Sequence, residues 1–395
     1  MMLPEVHLVC GTRPEAVKLA PVALELLSAG RIRPVLVASG QHPAMVRQAL
    51  AAFGLTPDVE LSLHRETGEQ AELYSGLLPE LDGLWARHRP GAVLVQGDTA
   101  TTVAAALAAF WRRIPVVHLE AGLRSHDIGS PFPEEANRRL VSVLAALHLP
   151  PTDRAARHLA DEGVPQDRTL VVGNTVVDAI RTVSRRGRAF TEPALVEVER
   201  RARAGERRLV LVTVHRRENW GGPIASVLAS VRTLARRYPD LDVVLPAHPN
   251  PVVSQQVREA LRDCPRVLVT EPLEYSDLAR LLGSCTLVLS DSGGIQEEAP
   301  SFGVPVLVLR ESTERQEALD AGCALLVGTD EELILDAAHR ILSSPEVAAS
   351  MVSAGNPFGD GQAARRTEEA LAVLLGLDTR LPDRFEPGQH RALLR

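Results

Sequence analysis

The sequence predicts an α/β protein built from two doubly wound, parallel-sheet domains. Three observations lead there. Short apolar runs end repeatedly in glycine-rich or charged turns that open helices. The pattern stops over an Arg- and Glu-rich stretch from Arg185 to Arg208 and then restarts. The length, 395 residues, exceeds what one hydrophobic core usually holds. Alternation of strand and helix argues for parallel sheets covered by helices on both faces.

Val6–Cys10 reads as the first strand. It ends at Gly11, and Pro14 follows where a helix begins, a position at which its missing N–H costs little. That helix runs through Leu26. Val35–Ala38 is the next strand, Ala92–Gln96 leads into a helix over Thr99–Trp111, and Val116–Leu119 precedes a loop ending at Pro133. A short helix from Thr175 to about Val183 closes the first set, and the segment 185–208 reads as a linker plus a solvated helix. The second set comprises Leu209–Val214, Val243–Pro246, Val267–Val269, Leu287–Ser290, Val306–Leu309 and Ala324–Val327. Ala363–Leu375 reads as a final helix. The expected domains are therefore 1–178, with a return segment at about 363–378, and 179–362; the Pro- and Arg-spaced tail 379–395 is expected to be loosely ordered. No repeat period is visible.

Composition narrows the partners. The chain is 45% hydrophobic and 24% charged but only 3% aromatic, so its cores are aliphatic and stacking platforms for nucleobases are scarce. A net charge of −7 opposes a polyphosphate backbone in bulk, while local Arg and Lys can still hold one or two phosphates. No nucleic-acid partner is expected. Cys10, Cys264, Cys285 and Cys323 are widely spaced and read as buried thiols. No basic leader region opens the chain and no apolar run approaches membrane-spanning length, so a cytoplasmic protein without a membrane partner is expected. The first strand is not followed by G-x-G-x-x-G, and neither a P-loop nor H-E-x-x-H occurs, so no dinucleotide cofactor or metal is expected. Asp240-Leu241-Asp242 precedes a strand and reads as a turn.

Four strand-to-helix turns carry the chemistry: Gly11-Thr12-Arg13-Pro14-Glu15, Gly97-Asp98-Thr99, His215-Arg216-Arg217-Glu218 and Asp291-Ser292-Gly293-Gly294. Strand C-terminal ends of a doubly wound sheet face one crevice, so these turns can converge on one ligand. Ser292, Gly293 and Gly294 open a helix, where backbone N–H groups and the helix dipole suit a phosphate; the alternative is a tight turn and cap without a ligand. Glu298, one turn on, is placed for ribose hydroxyls, although alone it would more often be a solvated helix charge. Arg13 and Lys18 are candidates for a diphosphate, although a lone Lys18 is more often a surface residue. Arg315 is a further anion candidate. Asp98, Glu120 and Glu134 are three carboxylates at apparent crevice positions. Each alone would be a helix cap, but together they would repel, raise at least one pKa and serve proton transfer. His215 ends a strand and is placed to meet an anion, His248 follows another, and His118, between Val117 and Leu119, reads as a core or supporting histidine.

Taken together, Cys10-Gly11-Thr12-Arg13-Pro14-Glu15-Ala16-Val17-Lys18, Gly97-Asp98-Thr99, His118-Leu119-Glu120-Ala121-Gly122-Leu123-Arg124 and Pro133-Glu134-Glu135-Ala136-Asn137-Arg138 strongly resemble the non-hydrolysing UDP-N-acetylglucosamine 2-epimerases. Val214-His215-Arg216-Arg217-Glu218-Asn219, Asp291 to Pro300 and Thr313-Glu314-Arg315 extend the match over roughly Val6 to Gly328. The resemblance implies the glycosyltransferase-B architecture, two Rossmann-like domains facing a cleft, with the nucleotide held mainly by the second. It implies interconversion of UDP-N-acetylglucosamine and UDP-N-acetylmannosamine by elimination and re-addition of UDP, without cofactor or metal, in a homodimer. Carried over by motif, Asp98, Glu120 and Glu134 are the acid/base group and His215 stabilises the departing diphosphate. Arg13, Lys18, Ser292, Gly293, Gly294, Glu298 and Arg315 bind the nucleotide sugar. Gln41-His42-Pro43-Ala44 departs from the glutamine-histidine loop of members activated by their own substrate, and Gln316 replaces a common proline. A glycosyltransferase of the same architecture, a catalytically silent nucleotide-sugar sensor and a hydrolysing epimerase are the alternatives; the surplus of carboxylates disfavours the first two, and differing motifs the third.

Overall fold

A computed structural model of the chain describes residues 3–187, 189–216 and 219–388. Arg217 and Glu218, part of the third charged turn, lie outside the described residues, as does the end of the tail from 389. The chain divides into two compact units, one holding residues up to Thr182 together with Gly359–Glu386, the other holding Val183–Phe358.

In the first unit six strands run β1 (Glu5–Cys10), β2 (Arg33–Ala38), β3 (Val59–Glu60), β4 (Ala92–Gln96), β5 (Val116–Leu119) and β6 (Leu147–Leu149). Their order across the sheet is β3-β2-β1-β4-β5-β6, every pair parallel. The second unit contributes β7 (Arg208–Thr213), β8 (Leu241–Pro246), β9 (Val267–Thr270), β10 (Leu287–Ser290), β11 (Val306–Val308) and β12 (Ala324–Leu326). Their order, β12-β11-β10-β7-β8-β9, repeats the first sheet's order, again all parallel. Both faces of such a sheet are covered by helices, which is why central strands such as Ala92-Val93-Leu94-Val95 are apolar without alternation and fully buried.

The two strands not foreseen, β3 and β6, are the outer edges of the first sheet and hold two and three residues. Nothing that short carries a period. Asp242, expected in a turn, lies within β8, where Arg207 Nε donates to its carboxylate at 2.7 Å. The 185–208 segment does contain a helix, Leu195–Arg203, studded with Arg–Glu pairs. It is no free linker, however. Phe190 is buried with the Arg280 guanidinium 4.2 Å above its ring, and the Asp277 carboxylate accepts from the Thr191 and Glu192 N–H groups.

The tail also differs from expectation as far as it is described. Phe385 is buried, its N–H donates to Val171 O at 2.8 Å, and the Arg366 guanidinium lies 5.7 Å from its ring centre. One aromatic side chain among polar residues is enough to anchor the segment to the first unit. There the helix Ala363–Leu374 packs on the helix Arg13–Ala29, and Glu368 takes two hydrogen bonds from Arg31. Among the described residues no helix is long and apolar enough to cross a membrane.

Candidate active site

Each sheet has a point where the strand order reverses, between β1 and β4 in the first unit and between β7 and β10 in the second. Helices leave neighbouring strands towards opposite faces there, which opens a crevice beyond the strand C-terminal ends, the usual ligand site of such sheets. The described parts of all four charged turns fall at these two points.

In the first unit, Glu120 directly follows β5 and its backbone lies in the left-handed region at φ 61°. A non-glycine residue held there costs on the order of 1–3 kcal/mol, and such strain clusters at functional positions. The Lys18 ammonium donates to both carboxylate oxygens of Glu120 at 2.6 Å. Gln96 Nε2 also donates to this carboxylate, and Asn174 Nδ2 approaches it at 3.4 Å. Lys18 is buried rather than a surface cation, and its charge is directed to Glu120 instead of lying open to a diphosphate.

Asp98 follows β4 and is held by the helix Glu134–Leu144. Arg138 donates to its Oδ2 from Nε at 2.8 Å and Nη2 at 2.7 Å, and Asn137 Nδ2 donates to its backbone carbonyl at 2.8 Å. Arg138 also reaches Glu135 at 3.0 Å. Burial works to raise the Glu135 pKa, but the Ser125 N–H and the Arg138 guanidinium outweigh it and hold the carboxyl below its ordinary range. Glu134, half-buried in the first turn of the same helix, has no side-chain hydrogen bond among the described residues. Asp98 and Glu120 thus do not face each other as bare like charges, as expected from sequence; each has its own cation.

Arg13 occupies the first position of its helix, half-buried and without an ion pair among the described residues. A cation at a helix N-terminus adds to the positive end of the dipole, and the combination favours an incoming anion. His118 is fully buried and bonds through Nε2 to Gly97 O at 2.8 Å, bracing the turn that carries Asp98. Burial lowers its pKa to about 4.

In the second unit Asp291 follows β10 and is fully buried. Its carboxylate accepts from the backbone N–H groups of His215 and Arg216 at 3.0 and 2.9 Å, and from Asn219 Nδ2 at 2.9 Å. His215 Nδ1 lies 2.9 Å from Oδ1, with half of the imidazole exposed. Burial works to raise the Asp291 pKa, but the bonds from His215, Arg216 and Asn219 prevail and lower it. A carboxylate on Nδ1 fixes the tautomer and leaves Nε2 as the working nitrogen.

Ser292 caps the helix Gly293–Glu298 through its backbone alone, and its N–H donates to Ser290 Oγ at 3.0 Å. A Cβ on Gly293 would stand 3.2 Å from the Arg315 guanidinium carbon, and one on Gly294 would meet only Ser292 Oγ at 3.8 Å. Arg315 is itself tied to Glu297 at 2.9 Å. Glu298 is buried and accepts from Tyr275 OH at 3.1 Å. His248 follows β8, accepts the Asn250 N–H on Nδ1 at 3.0 Å, and packs edge-on against Trp220. Each unit therefore gathers its own predicted residues: Arg13, Lys18, Asp98, Glu120 and Glu134 in the first, His215, His248, Ser292, Gly293, Gly294, Glu298 and Arg315 in the second.

Sequence reasoning did not single out the supporting residues Glu15, Gln96, Asn137, Arg138, Asn174 and Tyr275, nor the role of Asp291 in orienting His215. For Glu15 a signal existed: Thr12-Arg13-Pro14-Glu15 is a capping-box pattern. The others act across long sequence separations.

Residues 25–372 match the sequence model of a family described as UDP-N-acetylglucosamine 2-epimerase. The chain is 43% identical over 381 residues to a UDP-N-acetylglucosamine 2-epimerase of Bacillus subtilis (strain 168), covering 96% of this chain and 98% of that one. Among solved structures it resembles the S. aureus MnaA–UDP co-structure, with a TM-score of 0.88, 37% identity, and 97% and 100% of the two chains covered. It also resembles the Neisseria meningitidis UDP-GlcNAc 2-epimerase bound to UDP-GlcNAc, with a TM-score of 0.82, 39% identity, and 93% and 99% covered.

Proposed function

This chain belongs to the UDP-N-acetylglucosamine 2-epimerase family, on the glycosyltransferase-B fold, and from that premise we propose that it is a non-hydrolysing enzyme interconverting UDP-N-acetylglucosamine and UDP-N-acetylmannosamine. The C2 hydrogen has no adjacent carbonyl, so direct deprotonation to a free carbanion is too costly and elimination is the accessible route. A carboxylate takes the C2 proton, the C–H electron pair becomes the C1=C2 bond of a 2-acetamidoglucal, and the C1–O pair leaves with UDP. In the return step a UDP oxygen attacks C1, and C2 takes a proton on the opposite face. The sugar nucleotide is conserved and no water is consumed.

The observation that carries this reading is the pair of strand-end carboxylates, Glu120 on Lys18 and Asp98 on Arg138, with Glu134 one turn before Arg138. These three supply the acid/base group. His215, oriented by Asp291, presents Nε2 to the departing diphosphate, a role that electrostatic stabilisation of developing charge favours. Arg13, Arg315, the Ser292–Gly294 turn, Glu298 and His248 hold the nucleotide sugar, and Lys18 acts on it through Glu120. The proposal includes a cytoplasmic homodimer. Exposed Phe110, Trp111, Leu140 and Val143, on two helices that pack together in the first unit, support the association.

Proton NMR of the purified protein with UDP-N-acetylglucosamine in deuterated water tests the chemistry. Deuterium is expected at C2 as UDP-N-acetylmannosamine accumulates, without free sugar. Free N-acetylmannosamine would instead mark a hydrolysing enzyme. Asp98→Asn, Glu120→Gln and Glu134→Gln are each expected to lower turnover by about 10²–10⁴ with the circular dichroism spectrum retained. Near-normal turnover in all three would exclude the mechanism.

A further inference from the structure

Glu15 has no part in the reaction as described, yet it is 1% exposed and both its oxygens are engaged. Oε2 accepts from Gly11 N at 2.9 Å, Thr12 N at 2.7 Å and Thr12 Oγ1 at 2.8 Å. Oε1 accepts from Thr99 Oγ1 at 2.6 Å and faces Thr102 Oγ1 at 3.1 Å. We propose that Glu15 is a positioning residue that locks the turn carrying Arg13 to the turn carrying Asp98 across the first sheet's switch point. The catalytic part of this inference rests on the function proposed above.

A capping box explains only half of these bonds. Reciprocal capping needs one oxygen of an N3 glutamate and works at a solvated helix end. A buried carboxylate is costly unless its lone pairs are satisfied, and the second oxygen is satisfied by residues 84 and 87 positions away. The Thr102 hydroxyl has one proton, and its shorter contact is to Gln96 O at 2.7 Å. Thr99 is therefore the firm end of the strap, directly beside Asp98. The first turn is braced from its other side as well: a Cβ on Gly11 would lie 2.1 Å from Thr101 Oγ1 and 2.5 Å from Ser39 Oγ. Glu15 also consumes the Gly11 and Thr12 N–H groups, while the Arg13 guanidinium at this helix start has no ion pair among the described residues.

The strap is tested with Glu15→Gln, Thr99→Val and Thr99→Ser in the full chain, by epimerisation kinetics, Tm and amide hydrogen exchange. Thr99 caps its own helix by accepting the Thr102 N–H at 3.2 Å, so Thr99→Val lowers Tm in any case and Tm alone decides nothing. Loss of the strap is expected to lower kcat by about ten- to a hundredfold, because small misplacement of a reacting group has effects of that size. KM should rise by a smaller factor than kcat falls, Thr99→Ser should restore kcat, and the double variant Glu15→Gln with Thr99→Val should be no worse than the poorer single one. Exchange should quicken in peptides spanning both 11–15 and 97–103 in Glu15→Gln. Wild-type kcat in Glu15→Gln and Thr99→Val, or exchange quickened at 11–15 alone, would reduce Glu15 to a helix cap and overturn the inference. Should the wild type not epimerise at all, the proposed function fails, and the exchange pattern still decides whether the strap exists.

Discussion

A buried ion pair is judged by what remains when half of it is removed. Lys18→Met would leave the Glu120 carboxylate buried with Gln96 and Asn174 as its remaining side-chain donors among the described residues, in a backbone conformation already strained. Stranding a buried charge typically costs about 3–5 kcal/mol, whereas replacing both partners by neutral groups costs far less. Chemical denaturation should therefore show Lys18→Met strongly destabilised and the double variant Lys18→Met with Glu120→Gln closer to the wild type, although both lose turnover. Equal destabilisation of the two would mean that the pair does not govern stability. Asp98 and Glu120 stood out in sequence because each stands in a polar turn just after an apolar strand. Their partners did not. Lys18 lies 102 residues from Glu120 and Arg138 lies 40 from Asp98, and only the order of strands across the sheet brings them together.

Elements meet here through glycines whose purpose differs. Gly122, in the loop after β5, has φ 86°, and a Cβ there would stand 2.2 Å from the backbone oxygen of Ala155 in the helix Asp153–Asp161. Backbone cannot retreat as a side chain can. Gly30, the C-cap of the helix Arg13–Ala29, has φ 67° with nothing within 4 Å of the same hypothetical atom. Gly30→Ala is expected to cost about 1–2 kcal/mol, the penalty of the left-handed conformation, and Gly122→Ala about 4 kcal/mol or more, since the loop must also part from the helix. Paired denaturation curves check the difference; similar losses would show that conformation, not contact, is the constraint. Gly11 and Gly97 announced their turns because strands precede them. The edge strands β3 and β6 and the docking of Phe385 were not readable, because two or three residues of strand and one aromatic in a polar tail have no local pattern.

For the whole molecule, the distribution of buried histidines makes acid the discriminating stress. His7, His118 and His148 all lie in the first unit, and burial lowers the pKa of each to about 4. An unfolded histidine binds its proton near pH 6.5. Between that value and 4 the unfolded state therefore holds more protons, and the stability each histidine contributes above pH 6.5 is lost as the pH falls. For fully buried His118 this amounts to about 3 kcal/mol. Two carboxyls of the same unit act in the opposite sense. Burial raises Asp178 to about 7 although the Ala363 and Ala364 N–H groups donate to it, and burial raises Glu15 as well, so both favour the folded state as they take up protons. The three histidines are expected to lower the stability of the first unit as the pH falls from 6.5 towards 4, with Asp178 and Glu15 acting against them. In the second unit the lowered groups Asp291 and Glu314 lose their contribution only within and below the ordinary carboxylate range. Calorimetry between pH 7 and 4.5 should thus show the melting temperature falling with net proton uptake on unfolding. His118→Asn should flatten that dependence by about one proton, and Asp178→Asn should steepen it. A His118→Asn variant with the same pH dependence as the wild type would mean that His118 is already protonated in the folded chain, and the bracing of the Asp98 turn by a neutral His118 would fall with it.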